Sequence, residues 1–212
     1  MHPLTQLIYH DMKPALGVTE PGAIAFAVAK AKAQRGGTVE LVELRLNSGM
    51  YKNAFTCGIP GSTQVGNLYA AALGATGADA QKGLECLDGI TDAQHKQAQQ
   101  LVDQGKVRAE MSEVTSRIYI EAGVTTDQGN ATVIIRDSHT NITEIRVNGD
   151  TVFLAQAEEI QDDGDLAAPI HSYTLAQLVD YAQTVDLEEI AFVEEAYTTN
   201  LALFEEGLGS SQ

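Results

Sequence analysis

The chain has no tryptophan and only two cysteines, Cys57 and Cys86, in 212 residues. Two thiols do not make the disulfide framework on which small secreted domains rely. A chain of this length buries roughly 70 % of the surface its unfolded form exposes, so it needs no such framework to hold a core. Positive charge is also scarce, with 13 Lys and Arg against 29 Asp and Glu and a formal net charge of −16. That balance argues against nucleic acid and anionic membrane as partners, because both select basic surfaces. No apolar run approaches the roughly 18 residues of a membrane-spanning helix. The opening "MHPLTQLIYHDMK" lacks the basic region and apolar core of a signal peptide. The expectation is a cytoplasmic protein.

The generic chemical signatures are missing as well. There is no GxGxxG after a strand, no P-loop lysine, no HExxH, no GxSxG and no CxxC. Five scattered histidines and two cysteines do not assemble a structural zinc set, so no metal site is expected.

What is present is a change of hydrophobic period along the chain. Residues 3–11 are weakly amphipathic and lead into "KPALGVTEPG". Thr19 is a good N-cap, with Glu20 and Pro21 in the favoured first turn of a helix running from Ala23 to Gln34 and stopped by Gly36 and Gly37. From Thr38 the period becomes two, with Val42, Leu44 and Leu46 alternating with Glu43, Arg45 and Asn47, the pattern of a half-buried strand. Residues 47–66 read as a Gly-rich linker holding turns. Helical patterns follow at 64–74, 80–87 and 91–104, the first built of small residues, "NLYAAALGATGA". Period two returns in "RIYIEAGV", "NATVIIRD", "NITEIRVNG" and "TVFLAQ", with "DQGN" and "NGD" as hairpin turns. Helices at 174–184 and 187–206 close the chain, where Asp and Glu crowd. Elements grouped in blocks predict an α+β fold, with a mixed or antiparallel sheet and helices on one side. A single domain over 1–212 or two lobes would both fit.

Several segments bear chemistry, each beside a plainer reading. "GVTEPG" offers free N–H groups and the Thr19 hydroxyl to a carboxylate or phosphate, although such a helix start is commonplace. "CGIPGSTQVG" places Ser62 and Thr63 before a second helix start, and Lys52 and Asn53 lie just upstream; read alone, these are exposed loop residues. "DSHTNIT" sets His139 between two strands, beside Thr140 and Asn141. Histidine is the side chain suited to proton transfer near neutral pH, yet a hairpin histidine without a role is common. Cys86 in "GLECL" reads as a buried inert thiol.

In order, "KPALGVTEP", "YKNAF", "IPGSTQVGNLYAAALGATGADAQKGLECL" and "SHTNI" resemble the N-terminal half of the L-cysteine desulfidase family, part of the wider iron–sulfur L-serine dehydratase-like group. The resemblance spans about residues 8–208. It implies β-elimination from L-cysteine or L-serine to give pyruvate and ammonia, with a [4Fe–4S] cluster in the full-length family. It also implies His139 and Lys13 as catalytic residues, and Thr19, Glu20, Lys52, Asn53, Ser62, Thr63, Thr140 and Asn141 as substrate-binding residues. The family's motif has cysteine, a cluster ligand, where this chain has Val18. The chain would also stop where the family's helical second half begins. The resemblance therefore implies no cofactor in this chain alone, no activity alone, and a helical C-terminal partner subunit or a homodimer covering the face meant for the missing half. The rival expectation is a non-catalytic domain that binds an amino acid or carboxylate, or that serves a regulatory or structural role.

Overall fold

Alternation makes the first strand: in β1, Val39–Leu46, the side chains of Val42, Leu44 and Leu46 are buried while Glu43 and Arg45 are exposed. The computed structural model describes residues 1–12, 19–155 and 170–209. β1 belongs to one six-stranded sheet with the order β2-β1-β3-β4-β5-β6. It runs parallel to β2 (Val107–Met111) and antiparallel to β3 (Tyr119–Thr126). β4 (Gly129–Arg136), β5 (Ile142–Val147) and β6 (Asp150–Leu154) continue as an antiparallel meander. The turn from β5 to β6 is Asn148-Gly149, with φ of 52° and 90°. Two left-handed residues are what a tight hairpin needs, and Asn-Gly tolerates both.

Seven α-helices occur among the described residues: α1 (Pro3–Asp11), α2 (Thr19–Arg35), α3 (Ser48–Phe55), α4 (Asn67–Thr76), α5 (Asp92–Asp103), α6 (Leu175–Thr184) and α7 (Ala191–Gly209). The fold is α+β, a mixed sheet with helices packed against it. Among the described residues no helix is long and apolar enough to cross a membrane. The chain divides into two compact units, Met1–Pro14 with Gln161–Gln212, and Ala15–Ile160.

In the larger unit, α2 packs on β3 and β4 and against α4, which lies over β1 and β2; α5 packs on α4. Small residues make this layering possible. Ala23, Ala25, Ala27 and Ala31 are fully buried along α2, and Ala70, Ala71 and Ala72 along α4. At Gly74 the two helices come so close that a Cβ would sit 2.6 Å from the carbonyl oxygen of Ala25 and 2.8 Å from Cβ of Val28. Ile24, Leu44, Leu73 and Ile120 fill the space between helices and sheet and are essentially fully buried. Each contributes about 1.5–3 kcal/mol of hydrophobic stabilisation. The other sheet face is polar. Arg146 bonds Glu144 at 2.6 and 2.7 Å, and Tyr119 Oη donates to Glu121 at 2.8 Å. Burial first, and that bond second, push the Tyr119 phenol up to about 12.

In the smaller unit, Thr5 and Tyr181 join their hydroxyls at 2.8 Å, the His2 ring stacks on Tyr181 and Tyr9 meets Phe192 edge-on. Thr174 caps α6 with Gln177 in a capping box. Neither α6 nor α7 has a buried residue.

Several boundaries depart from the sequence reading. Residues 47–66 hold α3 rather than turns alone. Asn47 precedes it without capping it, because its side chain instead holds the backbone of Ser116, Arg117 and Tyr119. The pattern at 80–87 yields only a single 3-10 turn, Gly83–Glu85, in a stretch where Gly83 is left-handed. Helix α4 starts at Asn67, since Val65 bridges to Gly58 and Gly66 has φ of 93°. Thr19 is the first residue of α2 rather than its cap. α7 begins at Ala191, not Leu187. β2 was not expected: "VRAEM" buries only Val107 and shows little alternation.

Candidate functional site

Three segments distant in sequence meet at the start of α2, which supplies Thr19 and Glu20. Glu20 in the first turn suits the positive end of the helix dipole. α3 brings Asn53, whose Nδ2 donates to Glu20 Oε1 at 3.1 Å. The connection between β4 and β5 brings His139, whose Nε2 lies 3.3 Å from Thr19 Oγ1. Thr19 Oγ1 is also 3.5 Å from Glu20 Oε2.

A hydroxyl has one proton to give. Every donor is used once if His139 Nε2–H donates to Thr19 and Thr19 donates to Glu20, with Asn53 donating to the second carboxylate oxygen. In that arrangement the ring's lone pair sits on Nδ1. His139 is half-buried, and burial lowers its pKa below the usual histidine value; the nearby Glu20 raises it and Arg117 lowers it, both more weakly. The ring is therefore neutral at pH 7 and able to accept a proton.

The other residues singled out in the sequence are placed differently. Lys13 and Val18 lie outside the described residues. Lys52 and Thr63 are exposed, and Ser62 Oγ accepts from Gln64 N at 3.0 Å inside its own turn. Thr140 is exposed, while Asn141 Nδ2 donates to Arg136 O at 3.1 Å across the hairpin end. So contacts join Thr19, Glu20, Asn53 and His139, and no described contact joins the rest to them.

Two further residues carry no signal in the sequence reading, one beside this cluster and one at the start of α4. Arg117 acts on His139 from the entry to β3, and its sequence context carries no signal of that. Asn67 opens α4, is 3 % exposed, and its Nδ2 has no partner among the described residues. No side chain caps that helix start. The preceding Gly66 is pressed against α3, where a Cβ would lie 2.7 Å from Phe55 O. The sequence "VGNLY" shows only a glycine followed by an asparagine; the burial of Asn67 comes from the packing of α4.

The two thiols do not fit an iron–sulfur cluster. Cys86 Sγ is fully buried, points at Gly22 O at 3.5 Å, and burial pushes it up to about 12. Cys57 Sγ bonds Asn53 O. Two thiols fall short of the ligand set of an ordinary [4Fe–4S] centre. Among the described residues no group of three or more His, Cys, Asp or Glu could hold a metal ion. Because the thiolate is the reactive form, a disulfide reagent at pH 8 is expected to label one thiol per native chain, Cys57, and two after denaturation. Rapid labelling of two in the native chain would refute this burial.

The chain is similar to a UPF0597 protein of Clostridium botulinum, 34 % identical over 210 residues, which are 97 % of this chain and 49 % of that protein. A UPF0597 protein of a Shewanella species is 36 % identical over 203 residues, 96 % of this chain and 48 % of that protein. One from Oleidesulfovibrio alaskensis is 34 % identical over 203 residues, 95 % and 47 % respectively. The chain thus spans about half the length of these curated relatives. No family model and no solved structure matches it. These relatives overturn the resemblance to the L-cysteine desulfidase and L-serine dehydratase-like family, because the similarity over nearly the whole chain is to proteins of another family name. The motifs behind that resemblance are short helix starts and glycine turns, local solutions that unrelated chains also reach.

Proposed function

We propose that the larger unit binds a small amino acid at the start of α2. The α-ammonium faces Glu20, and the α-carboxylate faces the first-turn N–H groups, which have no acceptor within the helix. The ammonium offsets the repulsion that Glu20 would exert on a lone anion. The observation that carries this reading is the Thr19–His139 contact at 3.3 Å, which ties a proton-accepting ring to a helix start. We place the protein in the cytoplasm.

A second reading is favoured by the lowered pKa of His139. A neutral ring beside the substrate can take the α-proton of L-serine or L-cysteine as water or hydrogen sulfide leaves Cβ. The resulting enamine tautomerises and hydrolyses to pyruvate and ammonia. In this reading the group that assists departure belongs to the half of the relatives' length outside this chain. Without that half the chain binds and does not turn over. The regulatory or structural alternative keeps the amino-acid site without the reaction.

Calorimetry on the full chain tests binding. L-Serine and L-cysteine are expected to bind, and 3-hydroxypropionate, which lacks the ammonium, at least tenfold more weakly. Equal binding of the two classes would sink the assignment of Glu20, and no heat with any of them at millimolar concentration would sink the site.

A further inference from the structure

All 13 lysines and arginines lie at or before Arg146, and the chain beyond it carries 14 of the 29 acidic residues. The smaller unit joins this acidic end to Met1–Pro14. Its two long helices, α6 and α7, bury nothing, yet α7 is rich in large apolar side chains. Val193, Tyr197, Leu201, Phe204 and Leu208 recur at spacings of three and four, so they form one stripe along the helix. Their exposures are 37, 67, 39, 61 and 72 %. Glu194 and Glu205 each follow a stripe residue by one position and so flank one edge of it. An isolated helix in water gains little from its own turns and needs a packed apolar face to be stable. A stripe of this size left in water marks an interaction surface.

Charge selects the occupant. A second copy would bring the same acidic helix, which holds no lysine or arginine, against this one, and like charges across an interface cost several kcal/mol. The stripe therefore fits a basic partner: an apolar surface edged with lysine or arginine. Length selects its source, because the relatives are about twice as long as the segment they share with this chain. We infer that the apolar stripe of α7 is the docking surface for the remaining half of the relatives' length, and that this half meets it with apolar side chains rimmed by basic ones. The inference is independent of the amino-acid site, since it uses neither α2 nor His139.

The test uses the full chain with two probes: the portions of the Clostridium botulinum and Shewanella proteins that lie outside the similarity, each expressed separately. Mixing is followed by light scattering and by titration at low and high salt. The expected result is a one-to-one complex with at least one probe, weakening as salt rises because rim charges steer and hold the encounter. Tyr197→Ala with Phe204→Ala is expected to weaken it at least tenfold, with far-UV circular dichroism unchanged, as both side chains are mostly exposed. Glu194→Lys with Glu205→Lys is expected to weaken it at low salt and to match the parent chain at high salt. The inference is overturned if neither probe binds, if the aromatic pair can be removed without effect, or if the chain alone forms a dimer that the same pair abolishes. Amino-acid calorimetry reads the other site separately, so failure of one leaves the other standing.

Discussion

Gly74→Val lowers the stability of the larger unit by about 3 kcal/mol, the upper end of what overpacking a core costs, and drops its melting temperature by roughly 6–12 °C. The position is helical, so helix propensity alone would favour almost any replacement by up to about 1 kcal/mol over glycine. The crossing with α2 decides the sign. Even the first added carbon would lie 2.6 Å from a backbone oxygen, that of Ala25, and 3.0 Å from the Ala25 Cα. Backbone cannot turn aside as a flexible side-chain end can. The helices must separate, and the contacts among Ile24, Val28 and Leu73 loosen with them. Gly207→Ala supplies the contrast: it is also helical, has nothing within 4 Å of a built Cβ, and is expected to be neutral or stabilising. Thermal unfolding of both variants is the measurement. A Gly74→Val chain that melts with the parent would mean that α2 and α4 do not cross this closely.

Glu20→Gln lowers amino-acid affinity by roughly 10- to 100-fold, since a hydrogen bond to a charged group contributes about 1.5–3 kcal/mol and each 1.4 kcal/mol is a factor of ten. The side chain keeps its size and its ability to accept from Asn53, so the loss isolates the charge. The same substitution has a ligand-independent consequence. Glu20 raises the His139 pKa against the stronger effect of burial, so removing its charge lowers that pKa further. Proton NMR titration of the imidazole resolves the direction. The sign for stability follows from linkage. With a folded pKa below the unfolded value near 6.5, the unfolded chain takes the proton first as pH falls. His139 therefore favours the folded state fully above about 6.5, and that contribution is lost as pH falls towards the folded pKa. Glu20→Gln extends the sloping window to lower pH. An upward shift of the imidazole titration would contradict the placement of Glu20 beside the ring.

Much of the fold is legible because local physics sets it. Val42, Leu44 and Leu46 announce β1, Asn148-Gly149 fixes a hairpin, and Thr91 and Thr174 both cap helices as their sequence context indicates. Elements defined by tertiary neighbours are not legible. β2 is an edge strand with one buried side chain, held by its ladder to β1. α3 follows an asparagine whose side chain is used up on the entry to β3. The candidate site divides in the same way. Thr19, Glu20, Asn53 and His139 each stand out by type, but their meeting depends on how α2 lies over β3 and β4, which no spacing encodes. Asn67 does not stand out, because an asparagine at a helix start usually reads as a surface cap, and its burial is visible only once α4 is packed.

The sheet joins its strands by connections of very different length. β3 to β6 follow one another through short turns, whereas the parallel partners β1 and β2 are separated by about 60 residues that include α3, α4 and α5. Loop-closure entropy grows by about 0.6 kcal/mol per doubling of length, so bringing β1 and β2 together costs on the order of 3 kcal/mol more chain entropy than closing a two-residue hairpin. The meander can assemble from near neighbours alone. The parallel edge carries that extra closure cost, and the packing of α4 over β1 and β2 offsets it.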